Sequence, residues 1–452
     1  MRNTSLYKSL REFYKEALAI LNEKLAKKQD LPITVKEKFE FKEDGGYSQS
    51  YEPEILWYIF VDKNVQELKK TDIYCKLVRA LQDDPQIARH LDTLVGTHEF
   101  RIRLDVDICL RALITKLFQE QEDITFEESI FNKVYEEFES YFYRDRVECR
   151  LISPLNNFQA ESERIELSPG FSIIKIPKEE RAEMLSSSRM FGAFPQYQVM
   201  PFNEYAFELV LEIPKLFGEN APVRKAEDIP SQIAQKQFYE ACSALRLFKE
   251  GAVNHEYIRV GTISWELHGG TFTTDSVSRQ KLIGPQYILS KDDISDFLKF
   301  WSFFQKVRQK TRRRINLALR RFNFAYERVR PEDKLIDYMI GFESLLLLGT
   351  ERQELEYRLA LRGSALLNNT PEGRAVTFKE LKTAYRERSN IVHGGILKEI
   401  IKIDNNEVKF SEFVDKAGKL LRSSIQEFLQ LTESRSEAVV LDELDKRIIC
   451  GQ

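Results

Sequence analysis

The segment Lys382 to Gly395, KTAYRERSNIVHGG, holds the one histidine in the last third of the chain, His393. Arg388 stands five residues before it and Arg386 seven before it. A histidine can take or give a proton near neutral pH, because its ordinary pKa is about 6.5. An arginine stays charged and forks onto phosphate oxygens. The two residue types together meet the needs of phosphodiester cleavage by an attached 2′-hydroxyl: a proton carrier, and a fixed cation for the charge that builds on the phosphorane. Such chemistry requires neither a metal nor a cofactor.

Helix geometry separates the two arginines. At about 100° per residue, Arg386 falls within roughly 20° of the His393 face, whereas Arg388 points about 140° away. Arg388 meets the imidazole only through a distorted helix end, which Gly394-Gly395 permits, or through a second subunit across a two-fold axis. A composite site in a homodimer is expected. The plain alternative is a histidine that caps its own helix, where the C-terminal dipole favours a cation. Ser389 and Asn390, four and three residues before His393, share its side of the helix. With Tyr385 they are candidates for orienting phosphate or imidazole, and equally ordinary helix residues.

A second feature lies upstream. From Trp301 to Arg330 there are ten basic residues against one acid, Glu327, in a chain whose net charge is −3. Overall charge therefore conceals a local surface suited to a polyanion. Arg312, Arg313, Arg314, Arg320 and Arg321 are its candidate RNA contacts; the alternative is a helix face whose charges pair with acids elsewhere. Glu343, inside the apolar run GFESLLL, is either a polar edge residue or the partner of a buried arginine such as Arg362; the ion pair is expected, without a catalytic role. Asp105 and Asp107 in RLDVDICL have the look of a carboxylate metal pair, but no third ligand stands at a suitable spacing, so a solvated helix or strand face is expected.

The elements that must position these residues follow from periodicity. Leu6, Leu10, Phe13, Tyr14, Ala17, Leu18, Leu21 and Leu25 recur at helical spacing. The bulky run Ile55 to Val61 reads as strand. From about Val147 to Asp275 short β-branched runs, punctuated by Pro and Gly, read as strands around one helix, Ser231 to Lys249. After Pro285 six segments show a 3.6-residue period, with breaks at Pro331, Gly349, Pro371 and Gly394-Gly395. A chain of 452 residues holds about three domains at roughly 150 residues each. The expected organisation is α+β: a mixed, mainly helical region 1–146, an α+β module 147–285, an all-α helical bundle 286–435 and a tail 436–452.

Other classes are excluded on composition. Five cysteines lie far apart without a CxxC pair, so reduced and mostly buried thiols are expected. No HxxxH or HExxH spacing places two imidazoles on one helix face, so no metal site is expected. No apolar run is long enough for a bilayer, and the charged start lacks a signal peptide's apolar region, which implies a cytoplasmic protein with no membrane contact.

Three successive runs add a family likeness. RINLALRRFNFAYERVRPEDKLIDYMIGFESLLL, TERQELEYRLALRGSALL and LKTAYRERSNIVHGG together resemble the C-terminal domain of the Apea-like HEPN family, over roughly Arg313 to Leu431. The resemblance implies a HEPN helical bundle, dimerisation and an R-x4-6-H endoribonuclease motif, with Arg388 and His393 as the motif residues. It also implies RNA as substrate, products with 2′,3′-cyclic phosphate ends, and a place in prokaryotic antiviral defence by abortive infection, with a phage-derived or cellular trigger acting on the N-terminal region. Ser389 departs from the Asn, Asp or His usual after the arginine in the wider HEPN superfamily. Arg386 fits the broader spacing and stays a rival or helper. The competing expectation is a catalytically inactive module for dimerisation or RNA docking.

Overall fold

The computed structural model describes residues 2–27, 31–42, 46–96, 101–121, 124–190, 203–220, 225, 229–255, 257–262, 272–273, 284–308, 313–349, 351, 353–396, 398–403 and 406–450. Helices and sheets both contribute, so the chain is of mixed α and β class. Its contacts fall into two units, Met1–Pro154 with Ser168–Lys236 and Tyr257–Ser276, and Leu155–Leu167 with Gln237–Glu256 and Val277–Gln452. Among the described residues no helix is long and apolar enough to cross a membrane.

The first unit opens with α1 (Thr4–Ala26), whose N-cap Asn3 accepts the Leu6 N–H at 2.9 Å. Leu6, Leu10, Phe13, Tyr14, Ala17, Leu18 and Leu21 are buried along one stripe, as the periodicity requires, and Leu25 is half-buried. The run expected as a strand at Ile55 to Val61 is instead mostly helix, α2 (Trp57–Leu68). Phe60, Val61 and Leu68 lie in the core shared with α1, and one-sided burial of that kind overrides local β preference. Then come α3 (Asp72–Gln82), the short α4 (Pro85–Ala88), α5 (Val106–Gln119) and α6 (Glu128–Tyr143). Asp105 is the N-cap of α5, accepting the Ile108 N–H at 2.7 Å. Asp107 accepts the Tyr74 hydroxyl at 2.9 Å and pairs with Lys69. Both carboxylates are structural.

Strand Arg146–Asn156 runs antiparallel between Tyr205–Pro214 and Arg259–Thr262, with Phe171–Lys175 beyond the first neighbour and Phe272–Thr273 beyond the second. Helix α7 (Lys178–Met190) packs on strand Ile33–Phe41, which pairs with Tyr47–Ile55 as a nine-residue hairpin.

His90, 1% exposed, lies in this unit with its Nδ1 2.6 Å from the Gln86 carbonyl oxygen and its Nε2 3.4 Å from the Lys215 ammonium. Burial, then the Lys215 charge, push its pKa down to about 4. The folded state therefore refuses a proton that the unfolded chain accepts near pH 6.5, and stability falls as pH drops below that value. About 2 kcal/mol should be lost by about pH 5 from this group alone. Thermal melts of His90→Gln should show a shallower acid slope than the parent chain.

The second unit takes in α8 (Pro230–Phe248) from Gln237 onward, then α9 (Lys291–Arg308), α10 (Arg313–Tyr326), α11 (Pro331–Leu346), α12 (Leu355–Leu367), α13 (Pro371–Val392), α14 (Phe410–Leu431) and α15 (Glu437–Cys450). Pro331 and Pro371 each open a helix at its first turn, where a missing N–H costs nothing. Packing joins α10 to α11, α12 to α13 and α11 to α14. Gly363 allows the α12–α13 approach: a Cβ there would collide with the Leu381 side chain.

The region 286–435 is not purely helical. Strand Tyr287–Leu289 pairs in parallel with Phe158–Ala160, and a hairpin of Ile400–Ile403 with Asn406–Lys409 separates α13 from α14. Ile401 is buried there and anchors the hairpin, which an apolar-periodicity search for long helices passes over. The expected tail at 436–452 is largely α15. Its Val440, Leu441 and Leu444 are buried, and it packs on α12.

Candidate functional site

Helix α13 ends at His393, the C-cap residue, and Gly394 follows at φ +75°. That left-handed conformation costs a glycine nothing and reverses the chain. The His393 N–H donates to the Ser389 carbonyl at 3.1 Å, and the Gly395 N–H to the Asn390 carbonyl at 2.7 Å. Ser389 and Asn390 thus serve this terminus through their backbones. His393 itself is exposed to solvent.

The two arginines leave α13 toward different neighbours. Arg386, 59% exposed, donates Nε to Glu356 Oε1 on α12 at 2.9 Å. Arg388 is half-buried and donates Nη2 to Glu343 Oε2 on α11 at 3.4 Å. Its guanidinium carbon lies 5.9 Å from the centre of the Tyr385 ring. Burial raises the Glu343 carboxyl pKa, with Arg388 and a hydrogen bond from Tyr385 opposing in part. Tyr385 is raised too, by burial and then by the Glu343 charge. Among the described residues no hydrogen bond or ion pair joins His393 to Arg386 or Arg388.

The ion pair expected of Glu343 exists, but its partner is Arg388. Arg362 lies elsewhere, 3% exposed, between Glu351 and Asp445. The Glu343–Arg388 pair was missed because its partners sit 45 residues apart. A glutamate inside the apolar run GFESLLL was the available signal.

The basic run divides. Arg312 lies outside the described residues. Arg314 binds the carbonyls of Ser344 and Leu347 at the end of α11, where helix carbonyls lack intrahelical partners. Arg321 and Arg328 both pair with Asp337, at 3.0 and 2.7 Å, and Asp337 is only 2% exposed. Lys306 pairs with Glu433, and Arg308 with Glu240. Arg313 and Arg320, seven residues apart on one face of α10, remain exposed.

Among the described residues no group of three His, Cys, Asp or Glu side chains could hold a metal ion. Cys109, Cys149 and Cys242 are buried and Cys75 is exposed, none of them in a disulfide. Comparisons with protein-family models, with curated proteins and with solved structures returned no match to this chain.

Proposed function

We propose that this chain is a HEPN-type, metal-independent endoribonuclease. Helices α9 to α14 form its HEPN bundle, and the first unit is a sensing or regulatory region of a cytoplasmic anti-phage effector acting by abortive infection. One observation carries the reading: His393 stands exposed at the reversed C-terminus of α13, with the cation Arg388 five residues upstream on the same helix. The three sequence runs similar to Apea-like HEPN domains support it.

In this mechanism the substrate 2′-hydroxyl attacks the adjacent phosphorus, the bond to the 5′-oxygen breaks, and a 2′,3′-cyclic phosphate and a 5′-hydroxyl result. His393 carries a proton from the attacking oxygen or to the leaving one, and Arg388 meets the charge on the phosphorane. Since the two side chains diverge within one chain, the reading requires a homodimer in which each copy completes the other's site. Among the described candidate contacts, Arg313 and Arg320 are exposed and are the cations assigned to dock the RNA backbone. Cleavage should survive a chelator, and a 2′-deoxy sugar at the scissile position should block it.

Arg386 and Arg388 are separable by mutation. Arg388→Ala should lower the cleavage rate by about a hundredfold or more, as loss of a charge-stabilising donor does. Arg386→Ala removes only an exposed ion pair, worth under about 1 kcal/mol, and should leave the rate within about threefold. Single-turnover cleavage of a labelled RNA measures both, and the reverse ranking would transfer the role to Arg386.

The second reading is a silent dimerisation or RNA-docking module. It is favoured by the Arg388 guanidinium already being held by Glu343. RNA-end sequencing in cells expressing the parent chain and His393→Ala decides between them, since cyclic-phosphate ends that persist unchanged in the variant leave only the silent module.

A further inference from the structure

We propose that Glu343 competes with phosphate for Arg388, so that an anion docking on the Arg388 guanidinium displaces the Glu343 carboxylate, which takes up a proton as it yields. The inference rests on the reading of Arg388 as the phosphate-binding cation.

The contact between the two side chains is incomplete. Arg388 Nη2 lies 3.4 Å from Glu343 Oε2, whereas a tight arginine–carboxylate pair makes two parallel bonds of about 2.7–2.9 Å. The Nε of the same guanidinium is buried and has no hydrogen-bond partner among the described residues. The arginine thus holds donor capacity that Glu343 does not use. The two side chains are 23% and 25% exposed, so an anion from solvent reaches them without unfolding.

The charged and titratable groups acting on Glu343 are Arg388 and Tyr385, both on α13; among the described residues none comes from α10, α12 or α14. Burial already raises this carboxyl, and the Arg388 charge is the larger of the two opposing influences. A phosphate on Arg388 cancels that influence and adds a second negative charge nearby, so the carboxyl is driven further toward its neutral form. Below its pKa Glu343 is neutral and leaves Arg388 to the phosphate; above it the carboxylate competes. Anion affinity therefore falls as pH rises above the ordinary carboxylate value of 4.5.

The test uses the full chain and a fully 2′-O-methylated oligoribonucleotide, which cannot be cleaved, with affinity read by fluorescence anisotropy between about pH 5 and 8 at constant ionic strength. Glu343→Gln, isosteric and always neutral, should bind about tenfold more tightly at the alkaline end, the equivalent of one pKa unit of coupling. It should also lose the part of the pH dependence that Glu343 supplies, and Glu343→Asp should keep it. In an Arg388→Ala background Glu343→Gln should have no effect. Parallel pH profiles for the parent and Glu343→Gln, weaker binding by Glu343→Gln at every pH, or no binding by the parent chain overturns the proposal. Cleavage of unmodified RNA, assayed separately, judges the nuclease reading. Cleavage with parallel profiles sinks the competition alone, and diverging profiles without cleavage sink the nuclease alone.

Discussion

His393→Ala is expected to cut RNA between about a hundredfold and ten-thousandfold more slowly than the parent chain, the range that a positioned general acid–base supplies. The fold should survive. His393 is exposed, and the hydrogen bonds that close α13 are made by its backbone N–H and by those of Gly394 and Gly395, which the substitution leaves in place. Melting temperature and near-ultraviolet circular dichroism provide the folding control. A variant that cleaves at the parent rate would remove the imidazole from the chemistry.

The largest effect on stability is expected at Arg362, far from any proposed chemistry. Its side chain is 4% exposed and its guanidinium makes bonds of 2.7 and 2.8 Å to Asp445 and of 3.1 and 2.9 Å to Glu351, so it ties α12 to α15 and to the loop after α11. Burial pushes the Glu351 carboxyl up, but hydrogen bonds from Arg362 and the Leu348 N–H prevail and hold it below the ordinary range. Arg362→Ala leaves that carboxylate with only the more exposed Arg358, 3.0 Å away, as its cation, and removing one partner of a buried pair costs about 3–5 kcal/mol. For a unit of this size the melting temperature should fall by roughly 10 °C. Since Glu351 is depressed, its stabilising effect is present at neutral pH and lost as pH falls through its folded pKa, so the gap between variant and parent should narrow in acid. Arg362→Met combined with Glu351→Gln and Asp445→Asn should recover part of the loss, because no lone charge is left behind. A single variant that melts with the parent would show that the pair contributes nothing.

Local pattern and three-dimensional packing divided the work unevenly. Helix α1 was legible because the burial of its one face imposes a 3.6-residue period on the residue types, and seven of the eight apolar positions singled out in it are buried. The strands around Arg146–Asn156 were legible from β-branched runs between Pro and Gly. The run Ile55 to Val61 was misread, since its aromatic and β-branched residues favour a strand locally and only contact with neighbouring helices makes most of it helical, in α2. The hairpin Ile400–Ile403 with Asn406–Lys409 is too short to impose a period.

At the candidate site, the sequence by itself determined that an imidazole ends a helix before two glycines and that two arginines precede it on opposing faces, because both follow from residue order and a fixed rotation per residue. It also singled out Glu343, inside the apolar run GFESLLL, as a residue that either finds a cation or sits at a polar edge, since an unpaired buried carboxylate is costly. Tertiary structure alone decided that this cation is Arg388, that Arg362 belongs to Glu351 and Asp445, and that Arg314, Arg321 and Arg328 are engaged within the chain while Arg313 and Arg320 face solvent. The physical reason is that charge pairing between helices depends on which faces meet and how closely, and those distances are set by the packing of Gly363, Leu381 and their apolar neighbours, residues that carry no charge themselves.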